Sequence, residues 1–303
     1  MAGVFFSGLL ILIGACGREP PEWAGAPAKH PIRVVDDDAR PVALPRAPRR
    51  IISLVPSATE AIIALGAGDR LVGRTRYDSD STITRLPVVG GTIDPNIEAI
   101  VGLTPELVVT WSSDKRGEVR RRLAAAGIPT LDLSLQDTTD AFRAVAVLGV
   151  ALGIPAQADR ILHQLRDSLA ETRRLASAEG RRRVFFVVYN DPPMTMGPAT
   201  FIGQILDLAG GDNVFADAAM NWPTVSLEEV VRRDPDVIVL PVGEMPPRAL
   251  GRLRTDPGWR DLRAIRRGCV VNVESNVVIR PGPGIAHAAE QLRVAIHRPG
   301  CGP

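Results

Sequence analysis

Apolar residues fall along this chain in two alternating patterns: short, wholly hydrophobic runs and longer amphipathic stretches. Residues 51–55 and 184–188 are runs of the first kind, each preceded by arginines. Both predict strands buried on two faces, as in a parallel sheet covered by helices. The pattern then repeats. Ile97-Glu98-Ala99-Ile100-Val101, leading through Thr104-Pro105-Glu106 into Leu107-Val108-Val109, matches Leu227-Glu228-Glu229-Val230-Val231, leading through Asp234-Pro235-Asp236 into Val237-Ile238-Val239. The match is ungapped at an offset of 130 residues, from Glu98 to Glu228. Each copy predicts a short helix, a turn and a buried strand.

Upstream, Leu65-Gly66-Ala67-Gly68-Asp69 pairs with Leu208-Ala209-Gly210-Gly211-Asp212 at an offset of 143, so the first copy carries about thirteen extra residues between its motifs. The glycines suit helix C-termini, where the chain turns through positive φ before strands predicted at 71–72 and 214–215. Between the two copies, Ala158, Ile161, Leu162, Leu165, Leu169 and Leu175 recur at helical spacing opposite a charged face, and Gly180 closes the run. The expectation is an α/β protein of two Rossmann-like lobes with parallel sheets, joined by a single long α-helix. The lobes span 32–153 and 181–298, with the linker helix at 154–180 and an N-terminal hairpin or loose strand pair at 32–44.

Composition narrows the function. A chain of 303 residues, 45% of them hydrophobic, has the material for two cores. Its formal charge is +2, only Lys29 and Lys115 are lysines, and no basic run points to a nucleic-acid partner. Residues 4–13 are apolar but too few to span a bilayer. Ile13-Gly14-Ala15-Cys16 resembles a lipobox, although no Lys or Arg precedes the apolar run. The reading is a signal peptide over 1–16, lipidation at Cys16, and a flexible Pro/Ala/Gly tether over 17–31. The protein is then exported, periplasmic or at the cell surface, and touches the membrane only through its anchor. Cys269 and Cys301 either pair or remain thiols. Without a Cys-x-x-Cys or Cys/His cluster, no metal site is expected.

The segment from Arg50 through Val55-Pro56-Ser57-Ala58-Thr59-Glu60 resembles the opening of the cobalamin- and siderophore-binding solute receptors of ABC importers. So do Leu86-Pro87-Val88-Val89-Gly90-Gly91 and Pro95-Asn96-Ile97-Glu98-Ala99-Ile100. The resemblance covers residues 32–298 and is nearest the cobalamin-binding receptors, through Trp111, Pro192-Pro193, Asn221-Trp222-Pro223 and Arg280. It implies the helical-backbone, two-lobed architecture of class III solute-binding proteins. It also implies a cleft that closes on the ligand, and docking of both lobes on a permease served by an ATPase.

Candidate residues follow. Tyr77, Trp111, Tyr189, Trp222, Asn276 and Arg280 are the expected ligand contacts. Trp111, at a strand end, either faces the ligand or caps its own lobe's core. Asn276 stands where the cobalamin receptors place an acid, and Arg280 is either a ligand contact or a surface charge beside a turn. Glu98 and Glu228, equivalent in the repeat, are the expected permease-docking acids. Their alternative role is helix N-terminal electrostatics, and Ser226 has capping-box spacing to Glu229. His30, His163, His287 and His297 sit at no predicted cleft position.

Neither a P-loop, an HExxH nor a GxSxG pattern is present, and no catalytic residues or cofactor are assigned. The leading expectation is a binding protein for cobalamin, the transported ligand. The alternatives are a ferric siderophore held by Arg74, Arg76 and Arg280, or haem held by a tyrosine. From other classes come an exported enzyme on the duplicated scaffold and a sensory receptor.

Overall fold

The computed structural model describes residues 31–112, 117–190, 192–243 and 255–301. The expected signal peptide, the lipidation candidate Cys16 and all of the tether but Pro31 lie outside these residues. The chain enters as an antiparallel hairpin, β1 (Ile32–Val35) and β2 (Pro41–Leu44). Four parallel strands follow: β3 (Ile51–Ser53), β4 (Leu71–Gly73), β5 (Leu107–Trp111) and β6 (Thr130–Leu133), in the order β4-β3-β5-β6. After the linker, β7 (Arg182–Phe186) leads to a small hairpin, β8 (Tyr189–Asn190) and β9 (Pro193–Met194). β7 then pairs in parallel with β10 (Gly211–Asn213) and β11 (Val237–Val242), and β12 (Val270–Glu274) completes the order β10-β7-β11-β12. Counted within each lobe the two orders are identical, second-first-third-fourth, so the internal repeat is a duplicated sheet topology.

Helices cover the sheets: α1 (Pro56–Ala64), α2 (Ile97–Gly102), α3 (Glu118–Ala125) and α4 (Thr138–Ala151) in the first lobe, α6 (Phe201–Leu208), α7 (Leu227–Arg233) and a C-terminal helix Ile285–Ile296 in the second. Gly66 and Gly210 end α1 and α6 at φ of 77° and 87°, the left-handed conformation their positions called for. The strand expected at 214–215 begins earlier, as β10. Val214 and Phe215 instead fill the core, with Phe215 tilted against Phe185 at 5.6 Å between ring centroids.

The arginines ahead of the strands serve the helices. At a helix C-terminus the last carbonyl oxygens lack intrahelical donors and carry the negative end of the dipole. Arg50 donates to the Leu103 and Thr104 oxygens after α2 at 2.6 and 3.2 Å, and Arg70 to the Leu152 oxygen after α4 at 2.8 Å. Arg183 donates to the Arg233 oxygen at the end of α7.

Between the lobes runs α5 (Pro155–Glu179), a helix of 25 residues. Its inward stripe is Ala158, Leu162, Leu165, Leu169, Thr172 and Ala176. Leu175 is only half-buried, so the last turns present small residues where the pattern had offered a leucine. Ile161 and Phe142 pack against the cores of both lobes. Helices α4 and α5 touch where Gly149 faces the Ala158 methyl, and a Cβ at Gly149 would collide with it. The lobes also meet where the Phe201 N–H donates to the Gln136 oxygen at 3.1 Å and Gln204 Oε1 accepts from Thr138 N and Oγ1 at 2.9 and 2.6 Å. At the far end of α5, the ring of His297 bridges the Gly180 and Arg293 oxygens at 2.7 and 2.9 Å.

Cys269 and Cys301 form a disulfide with Cα atoms 5.3 Å apart, closing 32 residues of chain onto the start of β12. Loop-closure entropy for a ring of that size is worth about 3–4 kcal/mol. Denaturant titration of reduced protein is therefore expected to show a loss of that order, concentrated in the second lobe. Gly149→Val, which overpacks the α4–α5 crossing, is expected to lower the unfolding free energy by about 1–3 kcal/mol in the same measurement.

Candidate functional site

In a doubly wound sheet the crevice opens at the carboxyl ends of the strands where the strand order reverses. In the first lobe that point lies between β3 and β5, and in the second between β7 and β11. The residues leaving those strands define the site: Leu54-Val55 and Trp111 on one side, Val187-Val188-Tyr189 and Val242-Gly243 on the other. Helices α2 and α7 run back against β5 and β11, so their N-termini stand at the same edge.

Trp111, the last residue of β5, is half-buried. It lines a cavity of about 520 Å³ with Leu54, Ile93, Pro95 and Ile97, over a polar floor of Thr110 and Asp132. Thr110 Oγ1 donates to Asp132, which also pairs with Arg40 and Arg120. Tyr77 is 50% exposed and stands beside Gly91, next to the cavity residues Thr92 to Asp94. Gly91 lies so close beneath it that a Cβ there would approach the Tyr77 ring at 3.1 Å and collide with Asp94. Arg76 reaches over the Tyr77 ring, 5.8 Å from its centroid, and pairs with Asp94 at 2.8 Å. Ile93, 81% exposed at the cavity's mouth, was not among the sequence candidates. The signal for it lay in the thirteen extra residues of the first copy, which fall in this stretch between β4 and α2.

On the second lobe, Tyr189 and Trp222 are 53% and 44% exposed. Tyr189 opens the β8–β9 hairpin rather than ending β7. The loop bearing Trp222 is laced to that hairpin: Thr195 N donates to the Pro223 oxygen at 3.0 Å, Gly197 N to the Asn221 oxygen at 2.8 Å, and Val225 N to the Pro193 oxygen at 2.8 Å. Exposed aromatics on a hydrogen-bonded loop frame make a stiff apolar wall. Met220, 63% exposed, adds to it. Asn276 is exposed on a helical turn, Ser275–Val278, that follows β12 directly.

Arg280 crosses the cleft. Its Nη1 pairs with Glu60 Oε1 on α1 at 2.8 Å, and its Nη2 donates to the Tyr77 backbone oxygen at 3.0 Å. Glu60 was not singled out in the sequence, because nothing in a helical Ser-Ala-Thr-Glu reveals a partner 220 residues away. Burial pushes the Glu60 carboxyl above its ordinary range, the Arg280 guanidinium pulls it down, and Asp78 and Asp80 add to the rise. Arg74 Nη1 donates to the Thr75 and Asp78 backbone oxygens at 3.2 and 3.3 Å.

Glu98 and Glu228 both lie exposed in the first turns of α2 and α7. Those turns are capped by other residues. Asn96 Oδ1 accepts from Ala99 N at 3.0 Å, and Ser226 Oγ accepts from Glu229 N at 3.1 Å. The capping box is half formed, since Glu229 turns its carboxylate to Arg232 and Arg233 instead of back to Ser226. His163 and His287 are exposed away from the cleft. Among the described residues no cluster of three or more metal-ligating side chains occurs.

Known proteins are similar to this chain in sequence and fold. Over 98% of its length the chain is 28% identical to an uncharacterized ABC transporter substrate-binding lipoprotein, YvrC, of Bacillus subtilis, 97% of which is covered. It is 29% identical to the vitamin B12-binding protein of Pectobacterium carotovorum over 81% of this chain and 87% of that one. Among solved structures, the periplasmic heme-binding protein RhuT of Roseiflexus sp. RS-1 in apo form superposes with a TM-score of 0.74 at 25% identity, covering 84% of this chain and 99% of that one. The periplasmic vitamin B12 binding protein BtuF of Vibrio cholerae gives 0.69 at 26% identity, covering 82% and 97%. The model of the periplasmic binding protein family matches residues 51–277, and the chain belongs to that family.

Proposed function

We propose that this protein is the lipid-anchored extracytoplasmic receptor of an ABC importer, and that its ligand is a cobalamin. The observation that carries the ligand is the combination of aromatic walls with satisfied charges. Tyr77 and Trp111 face the cleft from one lobe, Tyr189 and Trp222 from the other, with the neutral amide of Asn276 exposed nearby. Three of the arginines that an anionic iron chelate would use are engaged, Arg280 with Glu60, Arg76 with Asp94 and Arg74 Nη1 with backbone oxygens, while Arg122 lines the Trp111 cavity as an exposed cation. Drawing Arg280 away to bind an anion would leave the partly buried Glu60 carboxylate without its partner. A broad, flat ligand edged with amides suits flat apolar faces and neutral polar groups better. The relatives named vitamin B12-binding proteins support the same reading.

Haem is the second reading. Two exposed phenols, Tyr77 and Tyr189, are available to a ferric iron, and the likeness to a heme-binding protein supports it. The importer role draws on the relative named a substrate-binding lipoprotein, whose match extends across nearly the whole chain, and on Cys16 in its lipobox setting. Capture and delivery divide between two surfaces. The cleft holds the ligand, and Glu98 and Glu228, one per lobe and both clear of their helix caps, meet arginines of the permease. Exposed carboxylates of this kind set orientation and encounter rate more than affinity.

Purified protein incubated with cyanocobalamin and desalted is expected to retain about one equivalent of corrin absorbance. Trp111→Ala and Trp222→Ala are each expected to weaken binding by about tenfold or more, as truncated aromatic anchors do. A retained Soret band with hemin and no corrin would replace cobalamin by haem and keep the cleft. Glu98→Arg/Glu228→Arg is expected to leave ligand affinity within about twofold while uptake through the reconstituted importer falls by about tenfold or more, read as transported corrin.

A further inference from the structure

Two contacts cross the mouth of the cleft, and both involve the first two turns of α1. The first is the Arg280–Glu60 pair at 2.8 Å, with the second Arg280 nitrogen on the Tyr77 oxygen at 3.0 Å. The second is the seating of the Pro281–Gly284 loop. A Cβ added at Gly282 would sit 3.3 Å from the Ser57 oxygen and 3.7 Å from Glu60 Oε2, tight enough to press the loop away. Side-chain exposure is 16% at Arg280 and 32% at Glu60, so water screens this pair less than it does the exposed pairs elsewhere on the protein. Elsewhere the lobes are tied by Gln204 to Thr138 and by α5. A charge pair bridging residues of the two lobes bears directly on their separation.

We propose that Glu60 is a positioning residue of the cleft: it latches Arg280 across the gap, holds the lobes near their closed separation before ligand arrives, and fixes the Tyr77 segment through the same guanidinium. The latch lets the ligand enter a cleft already close to its bound width, so less lobe motion is left for binding to drive. The other charged groups facing Glu60 are Asp78 and Asp80, both repelling it, so Arg280 alone among them supplies attraction. The inference rests on the two-lobed cleft but not on the corrin, and its test uses no ligand.

Spin labels at two exposed positions, Ser81→Cys on the first lobe and Asn272→Cys on the second, report lobe separation by double electron–electron resonance, with the native disulfide left oxidised. The ligand-free protein is expected to give one dominant short distance. Glu60→Gln and Arg280→Gln are each expected to shift the ratio of short to long distances by roughly tenfold, the scale of a charge-assisted pair. The double variant should shift it no further than either single one, and Glu60→Arg/Arg280→Glu should bring the short distance back. Gly282→Val should open the lobes without touching a charge. In the parent, raising sodium chloride to about 0.5 M should move the distribution the same way. If Glu60→Gln does not fold, as judged by circular dichroism, Arg280→Gln and the salt series decide. Distances unchanged in the folded single variants, or additive in the double one, would overturn the latch. Loss of cyanocobalamin retention with the distances behaving as stated would leave the latch standing and remove only the ligand assignment.

Discussion

The packing of both lobes on one helix is the constraint from which the rest follows. Helix α5 buries Ala158 and Leu162 in one core and Leu165 and Leu169 in the other, and Ile161 serves both. A helix with its stripe fixed at both ends cannot act as a loose hinge, because each lobe would have to surrender buried apolar contacts to swing far. Large swings of one lobe against the other are therefore costly.

Charge is handled in the same economical way. Nearly all the positive charge is arginine, and most of the arginines resolve into internal tasks. Those ahead of the strands solvate helix-terminal carbonyls, those around Asp132 bind the N-terminal hairpin to the first lobe, and those at the cleft are tied to carboxylates or backbone oxygens. The cavity beside Trp111 mixes apolar side chains with charged ones, Asp38, Asp94, Glu118, Arg120, Arg122 and Asp132. Glu98 and Glu228 stand exposed at equivalent positions of the repeat, one in each lobe.

The duplication was legible in the chain because it is written in hydrophobic periodicity and in glycines that a turn requires. Buried strands, the long amphipathic helix, the positive-φ sites at Gly66 and Gly210, and the exposed glutamates of the repeat all depend on residues close in sequence. The thirteen-residue excess of the first copy was visible as a length, though not as the loop bearing Ile93. The misreadings were local too: β10 starts before the apolar pair Val214-Phe215, because pairing with β7 outweighs hydrophobicity there.

Long-range side-chain pairing lay beyond the sequence. Arg280 reads equally well as a ligand contact or a surface charge, and only the fold brings it to Glu60. The Cys269–Cys301 bond stood open between a disulfide and two thiols until the C-terminal segment was seen to return to β12. Local periodicity determines which elements form and which faces they bury. Which distant charges and sulfurs meet is decided by how those elements pack, since a meeting costs chain entropy that only the assembled cores repay.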